Sequence, residues 1–337
     1  EFIKSIWPQI SLALRWIDQH GDRDEDGFLE YARYSPKGLI QQGWKDSWDS
    51  VFHSDGHLAE GPIALCEVQG YAYAARIAGA AIAAALGLKN EAEIFTRRAE
   101  NLKGIFQEHF WCEAISSYAL ALDGAKQQCQ VRTSNAGHCL FTGIAGSEQA
   151  GHIAATLMQE DSFSGWGVRT LALCEARFNP MAYHNGSIWP HDNALIAAGL
   201  ARYGYKDEAR RILGGLFDAS LFVEYRLPEL FCGFYRRDGE GPIPYPLACS
   251  PQAWSAASVF LLLQAILGLE IDAGAARLSL THPLLPDFLD EIKIEDLRVG
   301  AASVDVLIHR VAHRVAVEIE RSDRPIELQV EGLDSPR

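Results

Sequence analysis

The chain has 337 residues, 48% hydrophobic and 22% charged, which leaves room for a sizeable core in one large domain or two medium ones. Its formal net charge of −14 repels phosphate backbones and anionic headgroups, and so sets nucleic acid and membrane partners aside. No apolar run reaches the roughly 18 residues of a membrane span, and no secretory leader pattern opens the chain.

The first stretch, EFIKSIWPQISLALRWIDQHG, begins without Met and is already helical in pattern, with Ile6, Ile10, Leu14 and Ile17 on one face. The expectation is a chain that starts partway through a larger product. Helices are predicted near 4–20, 61–86, 90–110, 134–143, 147–159, 191–204, 206–220 and 251–267. In the 61–86 segment, Ala64, Val68, Tyr71, Ala75, Ala78 and Ile82 form a buried stripe, and its Ala and Gly content suits close packing on several sides. The 90–110 segment is charged on one face and belongs at the surface. Small-residue helices (61–86, 191–204, 251–267) alternate with charged ones (90–110, 206–220). That alternation describes the inner and outer layers of an all-α (α/α)6 toroid whose first hairpins lie upstream of Glu1. No fixed period supports a solenoid.

From about residue 273 the period changes. SVDVLIHRV and RVAVEIE alternate apolar and polar residues, as half-buried strands do. The predicted division is a barrel domain over 1–272 and a β-rich appendage over 273–337. The seven cysteines, at 66, 112, 129, 139, 174, 232 and 249, are odd in number and include no CxxC pair. They fit reduced thiols in a cytoplasmic protein.

Three long loops, 21–60, 160–190 and 221–250, are rich in Trp, Tyr, His and Pro, and each leads to the start of an inner helix. Loops of that length in a compact domain carry function, and here they are expected to meet on one rim. In GDRDEDGFLEY, Asp22, Asp24, Asp26 and Gly27 match the first half of a calcium loop, but position 12 is Arg33 instead of a bidentate Glu. The segment is read as a solvated acidic turn, and no metal or cofactor is expected.

QGWKDSWDS places Trp44 and Trp48 beside Asp46 and Asp49. Indoles pack on the flat C–H faces of sugars, and cleaving a glycosidic bond needs one protonated carboxyl and one carboxylate. An aspartate between two apolar rings is a candidate acid, because desolvation raises its pKa. YHNGSIWPHDN gathers Tyr183, His184, Asn185, Trp189, His191, Asp192 and Asn193 at a helix start, more polar groups than an N-cap uses. The third loop offers Glu224, Glu229, Asp238 and Glu240 as the second carboxylate. Glu229 sits between Pro228 and an apolar Leu-Phe-Cys, whereas Glu240 lies in the polar turn DGEGP.

QGWKDSWDS, EGPIALCEVQGYAYAA, TSNAGH, SGWGVRTLA, YHNGSIWPHDNALIAAGLARYG, RLPELFCGF and YPLACSPQAW, in this order, resemble the bacterial amylo-alpha-1,6-glucosidase family. These are glycogen-debranching-type glycoside hydrolases related to glucoamylases and mannosylglycerate hydrolases. The likeness runs from about residue 4 to 272. It implies an (α/α)6 barrel that hydrolyses α-glucosidic bonds with inversion, with an α-glucan or oligosaccharide as partner. It makes Asp46 the general acid, Asp49 a substrate ligand or substitute acid, and Glu229 the base. It implies sugar contacts from Trp189, His191 and Asp192, with Trp44, Lys45, Trp48, Gln69, His184 and Trp254 as further substrate-binding residues. The family's N-terminal β domain and earlier helices have no counterpart in this sequence. The rival readings are another enzyme on the same toroid, such as an epimerase using His184 and His191, and a non-catalytic carbohydrate-binding module.

Overall fold

The computed structural model describes residues 1–312 and 314–332. Its helices are α1 (Phe2–Trp16), α2 (Cys66–Ala85), α3 (Lys89–Phe110), α4 (Asn135–Thr142), α5 (Ser147–Leu157), α6 (Pro190–Arg202), α7 (Lys206–Ser220) and α8 (Ala253–Leu267). Each predicted helical segment overlaps one of them. The largest shift is at the start of the 61–86 segment. Ala64–Leu65 pair as a short strand, β1, so α2 begins only at Cys66. β1 pairs with β4 (Ala121–Leu122), and β2 (Trp111–Cys112) pairs with β3 (Ser117–Tyr118). None of these four strands was expected before residue 273.

The alternation of small-residue and charged helices becomes two layers. α2 packs on α4, α4 on α6, and α6 on α8, which makes one inner row. α3 covers α2, α5 covers α4, and α7 lies against α6 and α8. Glycines set the spacing of the inner row. A Cβ on Gly137 would stand 2.5 Å from Ile196 Cγ1, and one on Gly199 would stand 2.5 Å from the Phe141 backbone nitrogen. α4 and α6 therefore touch almost backbone to backbone, which the Ala/Gly composition permits. At one end of the row, α8 is apolar all round, yet Phe260 is 76% exposed and Trp254 and Val259 are also exposed.

The β appendage begins earlier than expected. Gly268 (φ 59) ends α8, and β5 (Leu269–Asp272) follows at once. β6 (Arg277–Thr281) lies between β5 and β10 (Glu327–Glu331) in one sheet. β7 (Glu291–Val299), β8 (Ala302–Val311) and β9 (Arg314–Ser322) form a second, antiparallel sheet. Val304, Val306 and Ile308 of β8 point inward, as the period-two pattern requires. One hydrophobic cluster joins Leu262 and Ile266 of α8 to Leu278, Leu280, Val304 and Ile308. The buried Lys206 ammonium ties the same seam, donating to the carbonyls of Ile266, Thr281 and His282. Residues 333–337 of the expected appendage lie outside the described residues.

Candidate active site

The inner helices α2, α4 and α6 bring their N-terminal turns together, and the three long loops meet above them. Lys45 Nζ donates to the Thr170 carbonyl at 2.6 Å, and Asn185 Nδ2 donates to the Asp49 carbonyl at 3.1 Å. Ile188 and Phe231 exchange backbone hydrogen bonds at 2.9 and 2.8 Å. Segments more than 100 residues apart are thus laced into one rim, as the loop content predicted.

The floor is aromatic. Trp44 stacks on His138 (5.6 Å between centroids, 18°) and meets His184, Trp189 and His191 edge-on. His184 stacks on Trp189, and His191 lies flat on Trp254 at 4.0 Å. Burial pushes the His184 imidazole down to about 3, with Lys45 adding to the effect, and pushes His191 down to about 4. Both rings are neutral at pH 7. His184 Nδ1 accepts the Ser47 N–H at 3.3 Å and lies 2.8 Å from Ser47 Oγ, which anchors the residue next to Asp46.

A charged layer lies under the aromatic rings. Asp192 sits in the first turn of α6, where the helix dipole favours an anion. It is fully buried, and its Oδ1 is 2.7 Å from His138 Nε2. His138 Nδ1 lies 2.5 Å from the Tyr71 hydroxyl. Burial acts to raise the Asp192 pKa, but the hydrogen bond and charge of His138, together with Lys45, outweigh it and hold the carboxyl below its usual range. Lys45 is buried beside Asp192 and Glu67. Its pKa is pushed down to about 8 by desolvation, which those carboxylates only partly offset. Trp44 Nε1, Glu67 Oε1, His191 Nδ1 and Asp192 Oδ2 are buried without a hydrogen-bond partner among the described residues. The floor thus keeps polar atoms that the protein's own groups leave unpaired.

The two candidate catalytic carboxyls flank one dipeptide. Glu229 is 8% exposed. Its Oε1 accepts from the Tyr183 hydroxyl at 2.7 Å and its Oε2 from the Cys249 N–H at 3.2 Å, so its orientation is fixed. Asp46 is half-exposed, with Oδ1 3.8 Å from His184 Nδ1. Tyr183 and His184 are neighbours in sequence, and their rings are 4.6 Å apart. The other candidate carboxylates lie elsewhere: Glu240 is exposed beside Arg237, and Glu224 and Asp238 are exposed.

One expected contact is not available, and one expected enclosure is not formed. Gln69 is fully buried, and its amide is occupied by the Leu29 N–H, the Leu29 carbonyl and the Leu65 carbonyl, which leaves nothing for a ligand. Trp48 is 60% exposed, while Trp44 is turned into the histidine cluster, so Asp46 is not enclosed between two indoles. Lys45 also contacts the site indirectly: its ammonium bonds the chain's own carbonyl beneath Trp44. Glu67 and His138 were not singled out from the sequence, and Tyr71 was expected in a buried stripe of α2, whereas Tyr71 and Ala78 are exposed and the buried face carries Glu67, Ala72, Arg76 and Ala83. The signal available for Glu67 was a lone acid at the start of an otherwise apolar helix.

The neutral histidines give a pH prediction. Unfolded imidazoles titrate near 6.5, well above both folded values. As pH falls below about 6.5 the unfolded chain takes up protons that the folded chain refuses, so stability drops towards pH 4. The slope reaches about 1.4 kcal/mol per pH unit for each ring. Urea midpoints measured from pH 7 to pH 5 test this, and a flat profile would contradict neutral burial.

Known proteins share this architecture. The profile of the mannosylglycerate hydrolase MGH1-like glycoside hydrolase domain matches residues 1–229. The mannosylglycerate hydrolase MGH1 of Selaginella moellendorffii is 32% identical over 73 residues, which span 22% of this chain and only 15% of that protein. The structure of a GH63 mannosylglycerate hydrolase from Thermus thermophilus, in complex with Tris, matches with a TM-score of 0.57 at 16% identity, over 77% of this chain and 70% of that one. A GH78 rhamnosidase of Bacillus sp. GL1 matches with a TM-score of 0.64 at 18% identity, over 98% of this chain and 30% of that one. The fold they share with this chain is a partial (α/α)6 glycosidase-like barrel, here with C-terminal β-sheets.

Proposed function

The chain belongs to the mannosylglycerate hydrolase MGH1-like glycoside hydrolase domain family, and from that premise we propose that it hydrolyses an α-glucosidic bond with inversion. The observation that carries this reading is the pair of unlike carboxyls on either side of Tyr183–His184. Asp46, half-exposed on the rim, protonates the departing oxygen. Glu229, gripped through both oxygens, takes a proton from the water that attacks the opposite face of the sugar. Trp189, His191 and Trp254 form the apolar wall for the ring being cleaved. The proposed substrate is an α-1,6-branched glucan or a short α-glucooligosaccharide, following the seven motifs that resemble the debranching enzymes. The activity named for the relatives, hydrolysis of mannosylglycerate, is the competing reading, favoured by the family match.

One experiment separates them. The chain is incubated with branched limit dextrin, linear maltooligosaccharides and mannosylglycerate, and the released sugar is followed by proton NMR. The expected result is glucose released first as the β-anomer, from the branched substrate before the linear ones. Release of the α-anomer overturns inversion, and mannose as the main product replaces the glucan by the relatives' substrate.

A further inference from the structure

Lys126 reaches into the acidic loop that follows α1. Its ammonium contacts Asp24 Oδ2 at 2.9 Å, Asp26 Oδ2 at 2.6 Å, and Glu30 Oε1. An ammonium has three donors, and each meets a carboxylate. Both partners are shaped for this. Gly27 N–H donates to Asp22 Oδ2 and Phe28 N–H to Asp26 Oδ1, at 2.8 and 2.9 Å, with Glu25 and Gly27 in the left-handed region. The ligating oxygens of Asp22, Asp24 and Asp26 lie within 4.8 Å of one another. The lysine comes from a turn held by Asp123, whose Oδ1 accepts the N–H groups of Ala125 and Gln127 and whose Oδ2 faces His53 Nε2 at 3.3 Å.

Exposed acidic clusters are common, but part of this one is dry. The Glu30 side chain has no exposed surface, and burial raises its pKa against the pull of Lys126. Glu30 Oε2 and Asp22 Oδ1 are buried without a hydrogen-bond partner among the described residues. Three carboxylates share one ammonium, and a fourth, Asp22, stands beside them without touching it. A calcium ion takes six to eight oxygens, whereas the lysine reaches three, and the two orphaned oxygens are what the shorter donor set leaves over. Arg33, at the position where a calcium loop ends in a bidentate Glu, donates to the Ser35 carbonyl instead.

We propose that this loop is a hard-cation seat which the chain fills with its own Lys126 ammonium, and that removing Lys126 opens it to a calcium-class divalent ion. The wild-type chain then gains nothing from calcium, because the ion would have to displace a lysine fixed at both ends of its turn. Desolvation disfavours the Lys126 charge, but the hydrogen bonds it donates to Asp26, Glu30 and Asp24 outweigh it and keep the ammonium protonated at neutral pH.

The test compares the wild type, Lys126→Met and Lys126→Met/Asp24→Asn in EDTA, in millimolar calcium chloride and in millimolar magnesium chloride, by thermal melting and titration calorimetry. The wild type is expected to melt at the same temperature in all three. Lys126→Met should melt several degrees lower in EDTA, recover with calcium, and show calorimetric binding that the double variant loses. A wild type that is stabilised by calcium overturns the proposal. So does a Lys126→Met chain that fails to respond to calcium, whether it is folded without the ion or folded under neither condition. If Lys126→Met folds only when calcium is present, the proposal stands.

Discussion

Glu229→Gln is expected to lower turnover of an α-glucoside by roughly a hundred- to ten-thousand-fold, the usual worth of a placed general base, while the chain stays folded. Gln keeps the size of the side chain and accepts one of the two hydrogen bonds, from Tyr183 or from Cys249, through its single oxygen, so the loop retains an anchor. What it loses is the ability to take a proton from water. Asp46→Asn is expected to fall as far on substrates with a sugar leaving group and much less on α-glucosyl fluoride, because fluoride departs without protonation. The fluoride rate therefore tells the two roles apart: spared in Asp46→Asn, lost in Glu229→Gln. Equal loss of the fluoride rate in both variants would remove Asp46 from the acid role. Unchanged turnover in Glu229→Gln would move the base elsewhere. A wild type that binds maltooligosaccharides but hydrolyses none of the glycosides offered would turn the site into a carbohydrate-binding one.

The second large effect concerns stability. Asp192→Ala is expected to destabilise the chain by about 3–5 kcal/mol, the cost of stripping one partner from a buried charge pair. Asp192 and His138 are both fully buried 2.7 Å apart, and Lys45 beside them is buried as well. Without the carboxylate, the Lys45 ammonium keeps Glu67 and the Thr170 carbonyl for compensation. Asp192→Asn should cost less, since its amide oxygen can still meet His138. The denaturant midpoint measures both variants, and His138→Ala completes a double-mutant cycle. A loss under about 1 kcal/mol for Asp192→Ala would mean that the pair is solvated and the floor is open.

These two predictions rest on information of different range. Asp46 and Glu229 stood out in the sequence because their neighbours are unusual: indoles on one side, Pro228 and an apolar run on the other. The Asp192–His138–Tyr71 line did not stand out. Its members lie on α6, α4 and α2, and nothing local to any one of them names the other two. The same holds for Gln69. A polar residue on an apolar helix reads as a ligand until the loop 28–30 is seen to use both ends of its amide.

By itself the sequence determined where the helices lie, that 61–86, 191–204 and 251–267 are inner and 90–110 and 206–220 outer, that a β-rich segment follows the last helix, and that three polar-aromatic loops serve one rim. Apolar spacing and Gly/Pro punctuation are local signals, and they survive in a single chain read from end to end. Only the tertiary structure decided which polar groups are committed. It sent Lys45 to a backbone carbonyl, turned Trp44 inward and Trp48 outward, set Tyr183 on Glu229, and seated Lys126 among Asp24, Asp26 and Glu30. The reason is physical. A buried polar group must find a partner, and that partner is chosen by which distant segments the packed helices bring within hydrogen-bond reach.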